Sequence, residues 1–226
     1  MIEVIFSKEQ IETIKNTLSS TDFRPASWSN NELNSIKKTI KDHYLSAQNF
    51  TCFYCRQRFV IKHNRAWDTE HIISRSAYPR FMFEPKNLCV VCIECNTEKS
   101  DKNILNSNKK ITKLPKSSAA YKIVHPHFDT FEDHIEVILP GQFYKHRTLK
   151  GRSTMSIYGL DRFLKSAGLQ TKSVTPPKIQ NLLSAALLAG DDYQIYERLL
   201  LEEIILNSPH ILGPADSIIA INKIRN

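Results

Sequence analysis

Four of the five cysteines stand in two Cys-x-x-Cys pairs, Cys52/Cys55 and Cys92/Cys95, and this limits the fold more than any other feature of the 226 residues. Two such knuckles are how a chain holds a tetrahedral zinc ion, and four thiolates close the coordination sphere, leaving no position open for chemistry. A disulfide framework is the competing use of the same spacing. The chain opens Met1-Ile2-Glu3 without a basic-then-apolar leader, so a cytoplasmic location is expected, where thiols stay reduced. The fifth cysteine, Cys89, lies in the apolar run Leu88-Cys89-Val90-Val91 and reads as a small buried side chain, with a ligand role as the alternative.

Around this staple the chain is of ordinary globular composition, 41% hydrophobic and 24% charged, which is enough to build a core. The longest apolar runs, Leu182–Ala189 and Leu199–Leu206, are broken by Ser184 and by Glu202 and Glu203. They fall short of the roughly 18 residues a spanning helix needs, so no membrane partner is expected. Residues 1–48 predict two helices. The first, about Lys8–Leu18, puts Ile11, Ile14 and Leu18 on one stripe; the second opens on a Ser29-x-x-Glu32 capping box and runs to about Ala47, with Leu33, Ile36, Ile40 and Tyr44 as its apolar face. Both read as scaffold. Residues 106–123 are lysine-rich and read as an exposed connection, solvated or touching a phosphate backbone. Three short strands are expected at Ile135–Leu139, Phe143–Leu149 and Met155–Tyr158, and helices from Thr175-Pro176-Pro177 to Gly190 and from Asp191 or Asp192 to about Leu206.

The 36 residues between Cys55 and Cys92 exceed the spacing of a simple zinc ribbon, and they contain Asp68-Thr69-Glu70-His71-Ile72-Ile73 and Glu84-Pro85-Lys86-Asn87-Leu88. The second knuckle runs on as Cys95-Asn96-Thr97-Glu98-Lys99-Ser100-Asp101. Taken in order, Glu70-His71-Ile72-Ile73, Asn87-Leu88 and Cys95-Asn96-x-x-Lys99 resemble the His-Asn-His/Asn signature of HNH endonucleases, in the branch whose hairpin is flanked by Cys-x-x-Cys pairs. The Asn96–Asp101 tail is similar to the HNH domains of CRISPR effector nucleases. The resemblance covers about residues 50–102. It implies an α+β fold in which a ββα-metal core, stapled by a four-cysteine zinc site, carries N-terminal and C-terminal helical extensions: residues 1–48, a nuclease core over 49–105, and 106–226 as short strands followed by helices.

The same resemblance implies roles. Hydrolysing a phosphodiester needs an activated water and a cation to neutralise developing charge. His71 suits the general base because imidazole titrates near neutral pH. Glu70 and the Asn96 amide oxygen would hold Mg²⁺ or Mn²⁺, hard cations that prefer oxygen; Asp68 replacing or assisting Glu70 is a minor alternative. Asn87 would belong to the loop that orients the histidine. Two positions depart from the family pattern: Glu70 stands where aspartate is usual, and Ser74 where many relatives have proline.

Net charge is +8, which favours a polyanionic partner, here nucleic acid, with DNA ahead of RNA. Lys99 and a patch of Lys145, Arg147, Lys150 and Arg152, interleaved with Phe143 and Tyr144, are the expected backbone contacts. His125-Pro126-His127-Phe128-Asp129, followed by His134, reads as a structural or substrate-facing turn, a second metal site being the alternative. This turn and Gly151–Leu164 also resemble a group of HNH proteins that accompany an ATPase in bacterial phage defence, which implies a protein partner docked on the C-terminal helices.

Overall fold

The computed structural model describes residues 1–59, 66–162, 165, 181, 182, 185, 193–207 and 221–223. It divides into two compact units, Met1–Glu136 with Lys145–Leu160, and Val137–Tyr144 with Asp161–Asn226.

The first unit begins with helix α1, Lys8–Ser19, opened by Ser7 and Gln10, whose side chains cap each other's backbone N–H. Ser29 and Glu32 form no such box. Two 3₁₀ turns, Pro25–Ser29 and Asn31–Leu33, occupy that stretch, and helix α2 runs Asn34–Ala47. The stripe expected of α2 is the one buried: Leu33, Ile36, Ile40 and Tyr44 all lie in the core.

Strands β1, Trp67–His71, and β2, Leu88–Cys92, pair antiparallel, with Trp67 opposite Cys92 and His71 opposite Leu88. Helix α3, Ile93–Lys99, follows β2 without a break, and both α2 and α3 pack on the strand pair. Every residue of β2 is buried, as Val- and Cys-rich strands covered by helices are. Its outer edge needs partners for Val90. The Gln48 amide supplies both, donating to Val90 O (2.8 Å) and accepting from Val90 N–H (2.9 Å).

Strands β3, Ile135–Leu139, and β4, Phe143–His146, form a hairpin closed at Pro140-Gly141-Gln142, where Gly141 takes the left-handed φ of 81°. Thr148 then caps helix α4, Leu149–Ile157, by accepting from Gly151 N–H. Met155 to Ile157 are therefore helical rather than strand: Thr154 bonds back to Lys150 O, and a stretch as short as Met155–Tyr158 carries too little period of its own to oppose the capped helix. Gly151 is needed there, since a Cβ would lie 2.0 Å from His134 O.

In the second unit, Ile138 and Phe143 pack with Leu200, Leu201, Ile204 and Ile205 of helix α5, Tyr193–Asn207. The helix expected over 175–190 falls largely outside the described residues. Among those described, no helix is long and apolar enough to cross a membrane.

Candidate metal centre and active-site cleft

The knuckles converge. The Sγ atoms of Cys52, Cys55, Cys92 and Cys95 all lie within 4.8 Å of one another, and all four residues are buried. Cys55 Sγ and Cys92 Sγ are 3.7 Å apart, far beyond a disulfide bond. Zn–S bonds of about 2.3 Å arranged tetrahedrally place sulfurs about 3.8 Å apart, so the donor set fits zinc in chemistry and in spacing. Cys92 Sγ is held well below the usual thiol range by hydrogen bonds from the neighbouring thiols. Arg56, at φ 55°, turns the first knuckle, and its N–H returns to Cys52 O. Cys89 stands outside the cluster, buried in β2 opposite Glu70.

Next to this staple lies a cleft of about 1300 Å³. The turn Pro25–Ser29 and α2 line one part; β1, the segment after it and α3 line the rest. His71 sits at the end of β1 and reaches it with a nearly buried ring. Its Nε2 is 3.2 Å from Met82 O, a pure acceptor, so Nε2 carries the proton and the Nδ1 lone pair remains. Burial, with the positive charges of Arg75 and Lys99 adding to it, pushes the ring down to about 3, so it is neutral at physiological pH. The Trp28 ring meets it edge-on, centroids 4.6 Å apart.

Asn87 is fully buried and clamps the segment that presents Met82. Its Oδ1 accepts from Ile73 N–H (2.7 Å), and its Nδ2 donates to Ile73 O and Phe81 O (3.1 Å each). Ser74 and Ser76 both donate to Asp101, tying the same segment to the chain just past α3 and holding the Asp101 carboxyl below its usual range.

Two carboxylates of β1 part company. Asn96, from α3, donates through Nδ2 to Asp68 Oδ2 (2.8 Å), so Asp68 and Asn96 put two oxygen-bearing side chains together in the cleft. Glu70 is only 2% exposed; its Oε1 takes Lys99 Nζ at 2.9 Å and Tyr158 OH at 3.1 Å. Burial pushes its carboxyl up, against the pull of Lys99. The sequence pattern points to Glu70 as the cation ligand; the structure sets Asp68 beside Asn96 and gives Glu70 a buried cation instead.

Lys99 departs further from the sequence reading. A lysine after a zinc knuckle looks like a surface contact for phosphate, yet Lys99 is 2% exposed and donates to both Glu70 and His71 O. The patch at 145–152 is spread over a strand end, a turn and a helix start, and none of it lines the cleft. Lys150 bonds Asp129 and Ser118, Arg147 pairs with Glu136, and Lys145 and Arg152 lie on the same two elements. The His125–Asp129 turn is built inward: His125 N–H donates to Asp129, His127 N–H to His125 Nδ1, and His127 Nε2 meets Leu88 O at 2.8 Å. Among the described residues, only the four knuckle cysteines group as metal ligands. Absent from the sequence reading were Trp28, Lys37, Lys38, Lys41 and Arg75, all of which line the cleft. Only long-range packing brings them there.

Comparison with known proteins finds a Septu protein PtuB of Bacillus thuringiensis, 25% identical over 126 residues, or 56% of this chain and 42% of that protein. The matched stretch is thus less than half of the relative's length. No family model matches, and no solved structure matches.

Proposed function

We propose that the protein is a zinc-stapled HNH-type endonuclease that hydrolyses phosphodiester bonds of nucleic acid, DNA ahead of RNA. The observation that carries this reading is one cleft holding His71, with its Nδ1 lone pair uncommitted to Met82, together with the Asp68–Asn96 pair. All three stand on two antiparallel strands followed directly by a helix.

In this reading His71 Nδ1 takes the proton of the attacking water, and the Met82 carbonyl steadies the ring as positive charge develops on it. Asp68 and Asn96 would hold Mg²⁺ or Mn²⁺, which when bound would supply the positive charge that stabilises the phosphate in the transition state. Asn87 aims the histidine through the segment that carries Met82. Lys99 and Glu70 fix the end of β1 beneath it. The zinc has a structural role only. The similarity to a Septu protein, and the resemblance of the 125–129 turn to defence-associated HNH proteins, support a role in anti-phage defence with a protein partner such as an ATPase.

The test is incubation with supercoiled plasmid, linear duplex, single strands and total tRNA, with Mg²⁺, Mn²⁺ or EDTA. Cleavage should require the metal, and His71→Ala should lower it by about 10²–10⁴ while zinc content and substrate affinity survive. A His71→Ala protein cleaving at the wild-type rate would sink the proposal.

A further inference from the structure

The cleft has a wall that the catalytic constellation does not use. α2 buries Ile36, Ile40 and Tyr44 and turns Lys37, Lys38 and Lys41 toward the cleft. Lys37 and Lys41 are one helical turn apart, so they lie on the same side of α2. Among the described residues Lys37 Nζ donates to carbonyls, those of Trp28 and Asn30 (3.3 Å each), and to no carboxylate. Lys38 pairs with Asp42 through side chains that are 77% and 59% exposed, an i,i+4 contact that solvent screens and a stronger anion would displace. Lys41 is half-buried, and burial lowers its ammonium below the usual range against the opposing pull of Asp68. Arg75, on the segment after β1, is near enough to depress His71 and forms no ion pair among the described residues.

One contact sets this wall directly at the candidate reacting centre. Trp28, whose carbonyl Lys37 holds, touches the His71 ring, and Lys41 and Asp68 line the same cleft. The carboxylates of the cleft are otherwise engaged: Glu70 by Lys99, Asp42 by Lys38 and Asp101 by two serines.

We infer that α2 and Arg75 form the nucleic-acid backbone grip of this cleft, Lys37, Lys38 and Lys41 binding phosphates on one side of the scissile bond and Arg75 on the other. The inference rests on the nuclease reading for the position of the scissile phosphate, but its test is of binding. The N-terminal helix is then part of the substrate site, and the strand it holds must lie between α2 and the end of β1.

The experiment uses the full chain with zinc bound, in EDTA concentrations too low to strip the zinc, and follows the anisotropy of fluorescein-labelled 20-nucleotide single strands and duplexes over a series of KCl concentrations. A Lys37→Ala/Lys41→Ala/Arg75→Ala variant should bind at least tenfold more weakly. The slope of log affinity against log salt should flatten by about 2 to 3, since each phosphate contact contributes about 0.7 to 0.9. Replacing Lys37 and Lys41 by Arg and Arg75 by Lys should keep the slope. In the unaltered protein, bound oligonucleotide should protect Lys37, Lys38 and Lys41 from an amine-acylating reagent, a readout that does not depend on any variant folding. An unchanged slope in the alanine variant, a slope lost instead in Lys145→Ala/Arg147→Ala/Arg152→Ala, or unprotected α2 lysines would overturn the inference. Wild-type cleavage separates the two claims: binding lost through α2 without any cleavage would remove the nuclease reading alone, whereas cleavage with the α2 slope intact would remove the grip alone.

Discussion

Replacing Lys99 by Met tests whether this lysine belongs to the substrate or to the fold. The ammonium and the Glu70 carboxylate are both 2% exposed and 2.9 Å apart, and the same ammonium holds His71 O. Removing one partner of such a pair leaves a charge buried with only the Tyr158 hydroxyl against it, which costs about 3–5 kcal/mol. That is a large share of the roughly 5–15 kcal/mol typical of a folded domain. Were Lys99 a surface phosphate ligand, Lys99→Met would change stability by under about 0.5 kcal/mol. It would instead flatten the salt dependence of binding by about one contact's worth. Urea unfolding of zinc-loaded protein, read by tryptophan fluorescence, measures the first quantity. A Lys99→Met/Glu70→Met double variant should recover most of the loss, because removing both charges removes the desolvation cost together with the attraction. A single variant as stable as wild type, with a flattened salt slope, would refute the structural account of Lys99 and restore the sequence-based one.

Elemental analysis should find about one zinc per chain; Cys92→Ser should give unfolded or insoluble protein and Cys89→Ser unchanged zinc content, and soluble zinc-free protein retaining its fold would dismiss the knuckle reading. Burial, with a smaller push from His127, holds His125 down to about 3, against about 6.5 in an unfolded chain. Between those values the folded state binds fewer protons, so stability is full above about pH 6.5 and falls toward pH 3, by up to about 1.4 kcal/mol per pH unit from this residue. His125→Gln should therefore flatten the melting temperature over about pH 6 to 4, even though it loses the ring stacked on Phe128; an equally steep curve would assign the acid sensitivity elsewhere.

What the sequence displays best is chemistry that depends on short spacing. Cys-x-x-Cys pairs are legible because the two ligands of each knuckle come from one turn, and the folded chain brings all four sulfurs together. The apolar face of α2 is equally plain, since Ile36, Ile40 and Tyr44 repeat at helical intervals and are buried together. What that face turns outward is not. Lys37, Lys38 and Lys41 read as the solvated side of a scaffold helix, because nothing local says that a cleft lies opposite. Lys99 misleads for the converse reason: its partner Glu70 comes from β1, some thirty residues back in the chain, and a lysine gives no sign in sequence that it is buried. The cationic run at 145–152 looks like one surface only while it is imagined as one strand; Thr148 starts a helix in its middle, and Asp129 engages Lys150 from another segment.

Tyr158 bears on how far the zinc-stapled segment is modular. Its ring stacks on Tyr54 of the first knuckle at 3.4 Å, and its hydroxyl reaches the carboxylate beneath the candidate general base. His127, from the same later stretch of chain, meets the carbonyl at the start of β2. A chain cut after residue 105 would keep every residue of the sequence signature and yet bare the back of both the zinc knuckle and the buried ion pair. Transplanting the cleft onto another scaffold would thus mean moving residues out to Leu160 with it. Insertions or deletions tolerated elsewhere in the extension should be excluded from the chain around Tyr158, which behaves as the keel of the zinc-stapled core rather than as an appendage to it.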